Sequence, residues 1–449
     1  MWGTVKTSRT TCAISGAGPA GLMLGLLLAR AGVNTVVLEK HRDFLRDFRG
    51  DTVHASTLRL MGELGLHDEF MKLAHQHIPH LQVITDEGTF TLADFRRLPG
   101  KFKHITFLPQ WDFLNFLADE AERHPNFQIW RESEVTGALV ERGRVTGLRY
   151  RDTEGEHELR ADLTVAADGR RSALRDSSGL KSEVFGSGMD ILWFQLSKKE
   201  GDPGGMVGRL SQGKLLVRIE RQTHWQTAYT VRKGGYEDVK ERGLDWFRET
   251  LAELAPFLAD RVHEVRSWDD VKALDVQIDR LERWWRPGLL CIGDAAHTMS
   301  PIMGVGINLA VQDAVATANI LAGPLRAGTV TEKHLAAVQK RRTLPTVATQ
   351  RLQRFLQGRF LEPWIRGEGK SVTPVVLRIL KRLPALQAGP ARTIGIGLRP
   401  EHPIAPLCHP FGSPGAPTPE AVAPEAVAPE AVAPEAVAPE AGAPESRSA

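Results

Sequence analysis

Cysteine and tyrosine are scarce in this chain, and long apolar runs are missing. Its three cysteines, Cys12, Cys291 and Cys408, stand too far apart for a disulfide framework or a metal cluster. The first two lie in apolar strand patterns, where a cysteine is a small core residue. No apolar run reaches the roughly 18 residues that span a bilayer, and no A-x-A cleavage site follows the apolar stretch 22–31. A cytoplasmic protein is therefore expected. No stretch interleaves clustered Lys/Arg with aromatics, which argues against a nucleic-acid partner. The net charge of +3 hides an asymmetry: six glutamates and one arginine from Ser413 onward carry −5, so residues 1–412 carry +8. In that tail proline recurs every fifth residue, from Pro419 to Pro444. Such spacing forbids a continuous helix, and the repeat is too poor in large apolar groups to build a core, so a semi-extended, disordered tail is expected over 413–449.

What the chain does have begins at residue 12. A short apolar strand runs into Gly16-x-Gly18-x-x-Gly21, an Ala/Leu-rich helix follows over 22–31, and Thr35, Val36, Val37 and Leu38 read as a second strand closing on Glu39. This is a βαβ unit with an acid about 20 residues beyond the glycines, the context that gives a glycine motif meaning. Gly16 permits the turn, Gly18 lets backbone approach a pyrophosphate, and Gly21, beside Ala20, lets helix and strand pack closely. The helix N-terminus offers free N–H groups to phosphates. Glu39 suits ribose hydroxyls. The motif alone leaves FAD and NAD(P) open.

Three further segments carry chemistry. Residues 47–54 form a polar loop in which Arg49 is the best phosphate clamp; His54 reads as a local hydrogen-bonding or core histidine. A buried-type strand ends at Asp168-Gly169, followed by a helix opened by Ser172 with Arg175 a turn later. Another apolar strand ends at Gly293-Asp294. A loop with Pro301, Gly304, Val305 and Gly306 leads from it to a helix expected to start at Asn308, through Gln312 and Asp313, to Leu321. No second strand–GxGxxG–helix unit occurs after residue 40, so a separate NAD(P) domain is not expected.

Taken in order, Gly16–x–Gly18–x–x–Gly21 with Glu39, Asp168-Gly169-x-x-Ser172-x-x-Arg175, and Gly293-Asp294 with Pro301-x-x-Gly304-x-Gly306-x-Asn308 resemble the para-hydroxybenzoate hydroxylase family, the single-component (class A) flavoprotein monooxygenases. The resemblance spans roughly residues 10–330. It implies an α/β fold: a Rossmann-like, discontinuous FAD-binding domain over 10–75, 100–184 and 271–345. An interleaved β-rich substrate domain over 76–99 and 185–270 and a helical C-terminal segment over 346–412 complete it. It implies FAD as cofactor, with NAD(P)H and molecular oxygen as co-substrates and hydroxylation of an aromatic or polyketide-like small molecule through a flavin C4a-hydroperoxide. By the same resemblance Glu39 holds the adenosine ribose, Arg49 and Gln110 lie along the pyrophosphate and ribityl chain, and Asp294 holds a ribityl hydroxyl. Asp168, Gly169 and Arg175 serve flavin and nicotinamide, while 301–308 lines the isoalloxazine, with Pro301, Gly304 and Gly306 nearest the ring. No metal is implied.

The chain departs from the founding member in its tyrosines. Only Tyr150, Tyr229 and Tyr236 are present, none placed to ionise a phenol, so no catalytic base is named. Trp193, Gln195, Arg209, Arg218 and Trp225 are the candidates to reach a substrate. A flavin-dependent reductase of isoprenoid or quinone-type lipids, or a halogenase, could keep the same motifs; the tryptophan segment of the halogenases is missing. The basic, apolar stretch 373–398 reads as a packed C-terminal helix, membrane contact being less favoured. A monomer or homodimer is expected.

Overall fold

The computed structural model describes residues 7–45, 51–365 and 375–408. Arg49 and the repeat tail lie outside the described residues. An eight-stranded sheet forms the first layer. Its main path runs Trp285–Arg286, Leu289–Cys291, Gly155–Ala166, Thr7–Ser15, Thr35–Leu38, Phe127–Trp130, and the antiparallel strands Glu134–Glu141 and Arg144–Asp152 branch from Gly155–Ala166. From Leu289–Cys291 to Phe127–Trp130 the pairings are parallel. Parallel strands are covered on both faces, which is why Thr35–Leu38 is buried throughout and Thr7–Ser15 is buried from Cys12 onward.

The helix Pro19–Arg30 begins three residues before the expected start, with Pro19 in the first turn, where a missing N–H costs nothing. Residues 20–30 are all buried, because the helix lies between this sheet and the long helix Gly306–Arg326. Truncating Leu22 or Leu24 there would cost about 2–5 kcal/mol. One helix passes a length-and-hydropathy test for a membrane span although it holds no unbroken apolar run of that length. Ile302–Arg326 is long and apolar enough, but 83% of its apolar window is buried inside the protein. It is apolar because residues 307–318 are all buried.

A second, seven-stranded sheet runs Lys272–Leu274, Met189–Ser197, His224–Arg232, Lys214–Glu220, Met206–Ser211, His80–Thr85, Gly88–Asp94. Two sequence-distant segments thus meet in one sheet, joined by the parallel pairing of Met206–Ser211 with His80–Thr85. The sheet departs from the expected limits at both ends. Lys272–Leu274 extends it past residue 270, whereas Gln76–Ile78 leaves it for a small sheet with Thr52–Val53 and Ile105–Phe107. Strand alternation sorts its side chains. Leu192, Phe194, Leu196, Trp225 and Tyr229 face a back layer around the helix Leu244–Leu254. Ile191, Trp193 and Ala228 face the loop at 301–304.

The boundary expected at 345/346 falls inside one continuous helix, Glu332–Leu356, with Pro345 within it. That helix grips the loop ahead of Gly306: Gln353 Nε2 donates to the carbonyls of Ser300 and Ile302, both at 2.9 Å, and its Oε1 accepts the Ser300 N–H at 3.1 Å.

Candidate cofactor and substrate site

The predicted glycine and acid residues converge at the C-terminal ends of the parallel strands, where open α/β sheets bind ligands. Gly16 has φ 95°, and a Cβ there would stand 2.7 Å from the Ala167 carbonyl oxygen; at Gly21 it would stand 1.9 Å from the Gly16 carbonyl oxygen. Both glycines are fixed by the fold. At Gly18 the nearest atom to a Cβ is 3.9 Å away, and at Gly306 nothing lies within 4 Å. Those two leave open space at the starts of Pro19–Arg30 and Gly306–Arg326, neither of which has a side-chain cap. Gly293 (φ 58°) sits between these helices, its Cβ position 3.2 Å from Ala20 and 3.3 Å from Ala310.

The charged groups are arranged around this point. The Glu39 carboxylate accepts the backbone N–H groups of Ala17 (3.2 Å) and His41 (3.1 Å), which fixes it beside the glycine turn. Asp168 accepts the Ser15 hydroxyl at 3.0 Å; burial raises its carboxyl above the ordinary range, against the pull of hydrogen bonds from Ser172 and Ser15. Gly169 follows in the left-handed region, φ 83°. Ser172 caps the helix Ala173–Ser177 by accepting the Arg175 N–H at 3.1 Å. The Arg175 guanidinium bonds the Arg170 carbonyl and Asp176, and its Nη1 is buried without a partner. Asp294, partly exposed, meets Arg170 at 3.5 Å.

One placement differs from expectation. The long helix starts at Gly306, not Asn308, and the Asn308 side chain is engaged: its Oδ1 accepts the His54 N–H (2.9 Å) and the Thr57 hydroxyl (2.7 Å), while Nδ2 donates to the Thr52 carbonyl (3.3 Å). The Thr52 hydroxyl donates to the Gly304 carbonyl at 3.0 Å. Asn308 therefore anchors 52–57 to the loop. Within that loop, between Pro301 and Val305, Met303 holds φ 70°, rare for a residue with a side chain. Gln110 opens the helix Gln110–Glu122 and lines a cavity of about 230 Å³ shared with Asp51, Phe107, Gln195, Arg221 and Gln226.

Of the substrate candidates, Trp193 and Gln195 lie on the loop-facing side. Arg218 and Trp225 do not. Burial lowers the Arg218 guanidinium to about 10, and it stacks on Phe257 at 4.5 Å, while Trp225 Nε1 donates to Asp202 at 2.8 Å. Arg209 pairs with Asp86 at 2.7 Å.

Sequence reasoning missed two ion-paired networks. Asp51 pairs with Arg221, and the Gln110 N–H donates to Asp51 at 3.2 Å. Deeper in, Asp313 binds His297 Nε2 (2.6 Å), Arg342 Nε (2.8 Å) and the Gly293 N–H (3.1 Å), and Arg342 reaches Glu401 at 3.1 Å. Burial would raise the Asp313 carboxyl, but His297 and Arg342 outweigh it and hold it below the ordinary range. The partners come from elements far apart in sequence, so no local pattern announces them. His54 is wholly buried and its Nδ1 lies 2.7 Å from the Ile394 carbonyl, so Nδ1 carries the proton.

An open glycine turn, two uncapped helix starts and a buried unpaired guanidinium nitrogen suit a phosphate-bearing dinucleotide. The chain belongs to the FAD-binding domain family, whose model matches residues 9–352. It is 33% identical over 386 residues to a 6-methylpretetramide 4-monooxygenase of Streptomyces rimosus, covering 85% of this chain and 91% of that protein. It is 28% identical over 382 residues to a 3-(3-hydroxy-phenyl)propionate/3-hydroxycinnamic acid hydroxylase of Burkholderia cenocepacia (strain HI2424), covering 79% and 67%. Its fold is similar to that of an anhydrotetracycline hydroxylase from Streptomyces rimosus, with TM-score 0.69 and 24% identity over 86% of this chain and 76% of that one. The enzyme is an FAD-dependent monooxygenase.

Proposed function

We propose that this enzyme hydroxylates a planar aromatic, polyketide-like small molecule, with NAD(P)H and molecular oxygen as co-substrates. The observation that carries the reading is the apolar face of the second sheet, with Trp193 and Ala228 directed toward the loop 301–304 beside the cofactor-binding strand ends. Bound FAD would supply electron transfer from NAD(P)H and oxygen activation. The protein supplies position and dryness. Gly16, Gly18, Ala20 and Gly21 would cradle the pyrophosphate, aided by Arg49; Glu39 would hold the adenosine ribose; and Gly293 with Asp294 would hold the ribityl chain. Asp168, Gly169 and Arg175 would border the flavin and the visiting nicotinamide, and Gln110 would lie along the pyrophosphate and ribityl chain. Pro301, Gly304, Val305 and Gly306 would lie along the isoalloxazine, with the first turn at Asn308 held in place by His54 and Thr57. Ile302, Met303, Val217 and Ile219 belong to the apolar packing around this space, which would keep water from the reacting atoms.

The test combines an oxygen electrode, NAD(P)H absorbance and product mass on the FAD-loaded enzyme with a panel of phenolic and polycyclic compounds. Substrate-accelerated NAD(P)H oxidation, matching oxygen uptake and a product heavier by one oxygen atom are expected. Product formed without oxygen uptake would replace this reading with a flavin-dependent reductase.

A further inference from the structure

The indole of Trp193 has an unspent donor. It is half-buried and packs against the two apolar clusters that also take in Ile302 and Met303, yet its Nε1–H is buried with no hydrogen-bond partner. A buried N–H is costly to leave unpaired, so such an atom at a ligand-facing position points to a ligand acceptor. Two other indoles share the condition in different surroundings: Trp284 lies against His297, 4.9 Å between ring centroids, and Trp364 stands on the short helix Glu362–Ile365. Trp225, the back-face indole of the same sheet, has Asp202 as its acceptor.

The register of the sheet says what lies around Trp193. Directly across from it is Ala228, and across from Ala228 is Val217, so the indole has a small neighbour and an apolar row beyond it. The next row on the same face is Gln195, Gln226 and Ile219. Gln195 and Gln226 line the 230 Å³ cavity, and two residues along a strand is about 7 Å. Trp193 thus stands between that cavity and the loop at 301–304.

We infer that Trp193 seats the substrate, its indole face supporting a planar ring system and its Nε1–H donating to a carbonyl or phenolic oxygen on that ring system. This rests on the aromatic-hydroxylase reading above and adds to it a required oxygen acceptor. An aromatic hydrocarbon without oxygen would lose the donor contact and keep only the platform.

The experiment uses FAD-loaded enzyme and two probes, 1,8-dihydroxyanthraquinone and anthracene, titrated by the change in flavin absorbance. Trp193→Phe keeps a ring and removes the donor; Trp193→Leu removes both. Expected for Trp193→Phe is about tenfold weaker binding of the dihydroxyanthraquinone with anthracene binding unchanged, the size of one buried hydrogen bond. FAD content and the flavin spectrum without ligand should match wild type. Trp193→Leu should weaken both probes. Equal affinity of wild type and Trp193→Phe for the dihydroxyanthraquinone overturns the inference while leaving the hydroxylase reading intact. Loss of FAD from Trp193→Phe also overturns it, since the indole would then be serving the fold. Wild-type enzyme that binds neither probe overturns the inference; if it also fails to hydroxylate any compound of the panel, the hydroxylase reading falls with it.

Discussion

Asp51 and Arg221 form an ion pair between the segment that precedes the small sheet and the end of a strand in the second sheet, and each side chain is only 10% exposed. Burial raises the Asp51 carboxyl and lowers the Arg221 guanidinium, so each depends on the other to stay charged. Removing one partner strands the other: Arg221→Met or Asp51→Asn alone should each cost about 3–5 kcal/mol in urea unfolding. The double variant should recover much of that loss. Single effects that simply add, to within about 0.5 kcal/mol, would show that the two groups do not interact.

The glycines separate what the fold needs from what a ligand needs. Gly21→Ala drives a methyl into the Gly16 carbonyl and should unfold or grossly destabilise the protein. Gly18→Ala meets no protein atom closer than 3.9 Å, so thermal stability without FAD should stay within about 0.5 kcal/mol of wild type. Its FAD affinity should drop at least about tenfold, because the methyl occupies the space a pyrophosphate would enter. Gly306→Ala, with nothing within 4 Å, should behave likewise. Calorimetry of the apoprotein beside flavin titration checks both; unchanged FAD affinity in Gly18→Ala would contradict the proposed cradle.

The parts legible in the sequence are those whose causes are local. The strand–turn–helix around Gly16 and the strand ends at Asp168 and Gly293 announce themselves because apolar strand, turn residue and helix start are contiguous. Sheet limits are less legible. Gln76–Ile78 and Lys272–Leu274 are three-residue strands whose partner is chosen by tertiary fit, not by their own composition. Asn308 looks like a helix opener, yet the long helix starts two residues earlier and the Asn308 side chain is spent on His54 and Thr57 instead. Asp51–Arg221 and Asp313–Arg342 join residues 170 and 29 positions apart, and charge pairing at such distance leaves no periodic trace.

His54 makes stability depend on pH. Burial lowers its pKa from 6.5 to about 4, opposed by the bond to the Ile394 carbonyl. Unfolded chain takes up this proton near pH 6.5 and folded protein only near 4. The contribution is therefore complete above 6.5 and is lost as pH falls toward 4, amounting to about 3 kcal/mol in all. Guanidinium unfolding of wild type and His54→Gln at pH 7 and pH 4.5 isolates it, since other groups titrate alike in both. Wild type should lose about 2–3 kcal/mol more than the variant over that interval; equal losses would mean that the imidazole is not held neutral.

Arg342 is wholly buried between the carboxylates of Asp313 and Glu401, and Asp313 also holds the N–H of Gly293 at the cofactor-binding strand end. Arg342→Met leaves Asp313 with His297 and Glu401 with Arg341, each short of one cation. Breaking such a buried pair costs about 3–5 kcal/mol. The loss should shrink as pH is lowered from 8 to 5, because carboxylates deprived of Arg342 take up protons more readily in the folded variant than in wild type. Urea unfolding across that range measures it. A deficit that is independent of pH would mean that Arg342 acts by filling space, and that the charge on Asp313 does not hold Gly293 at the turn.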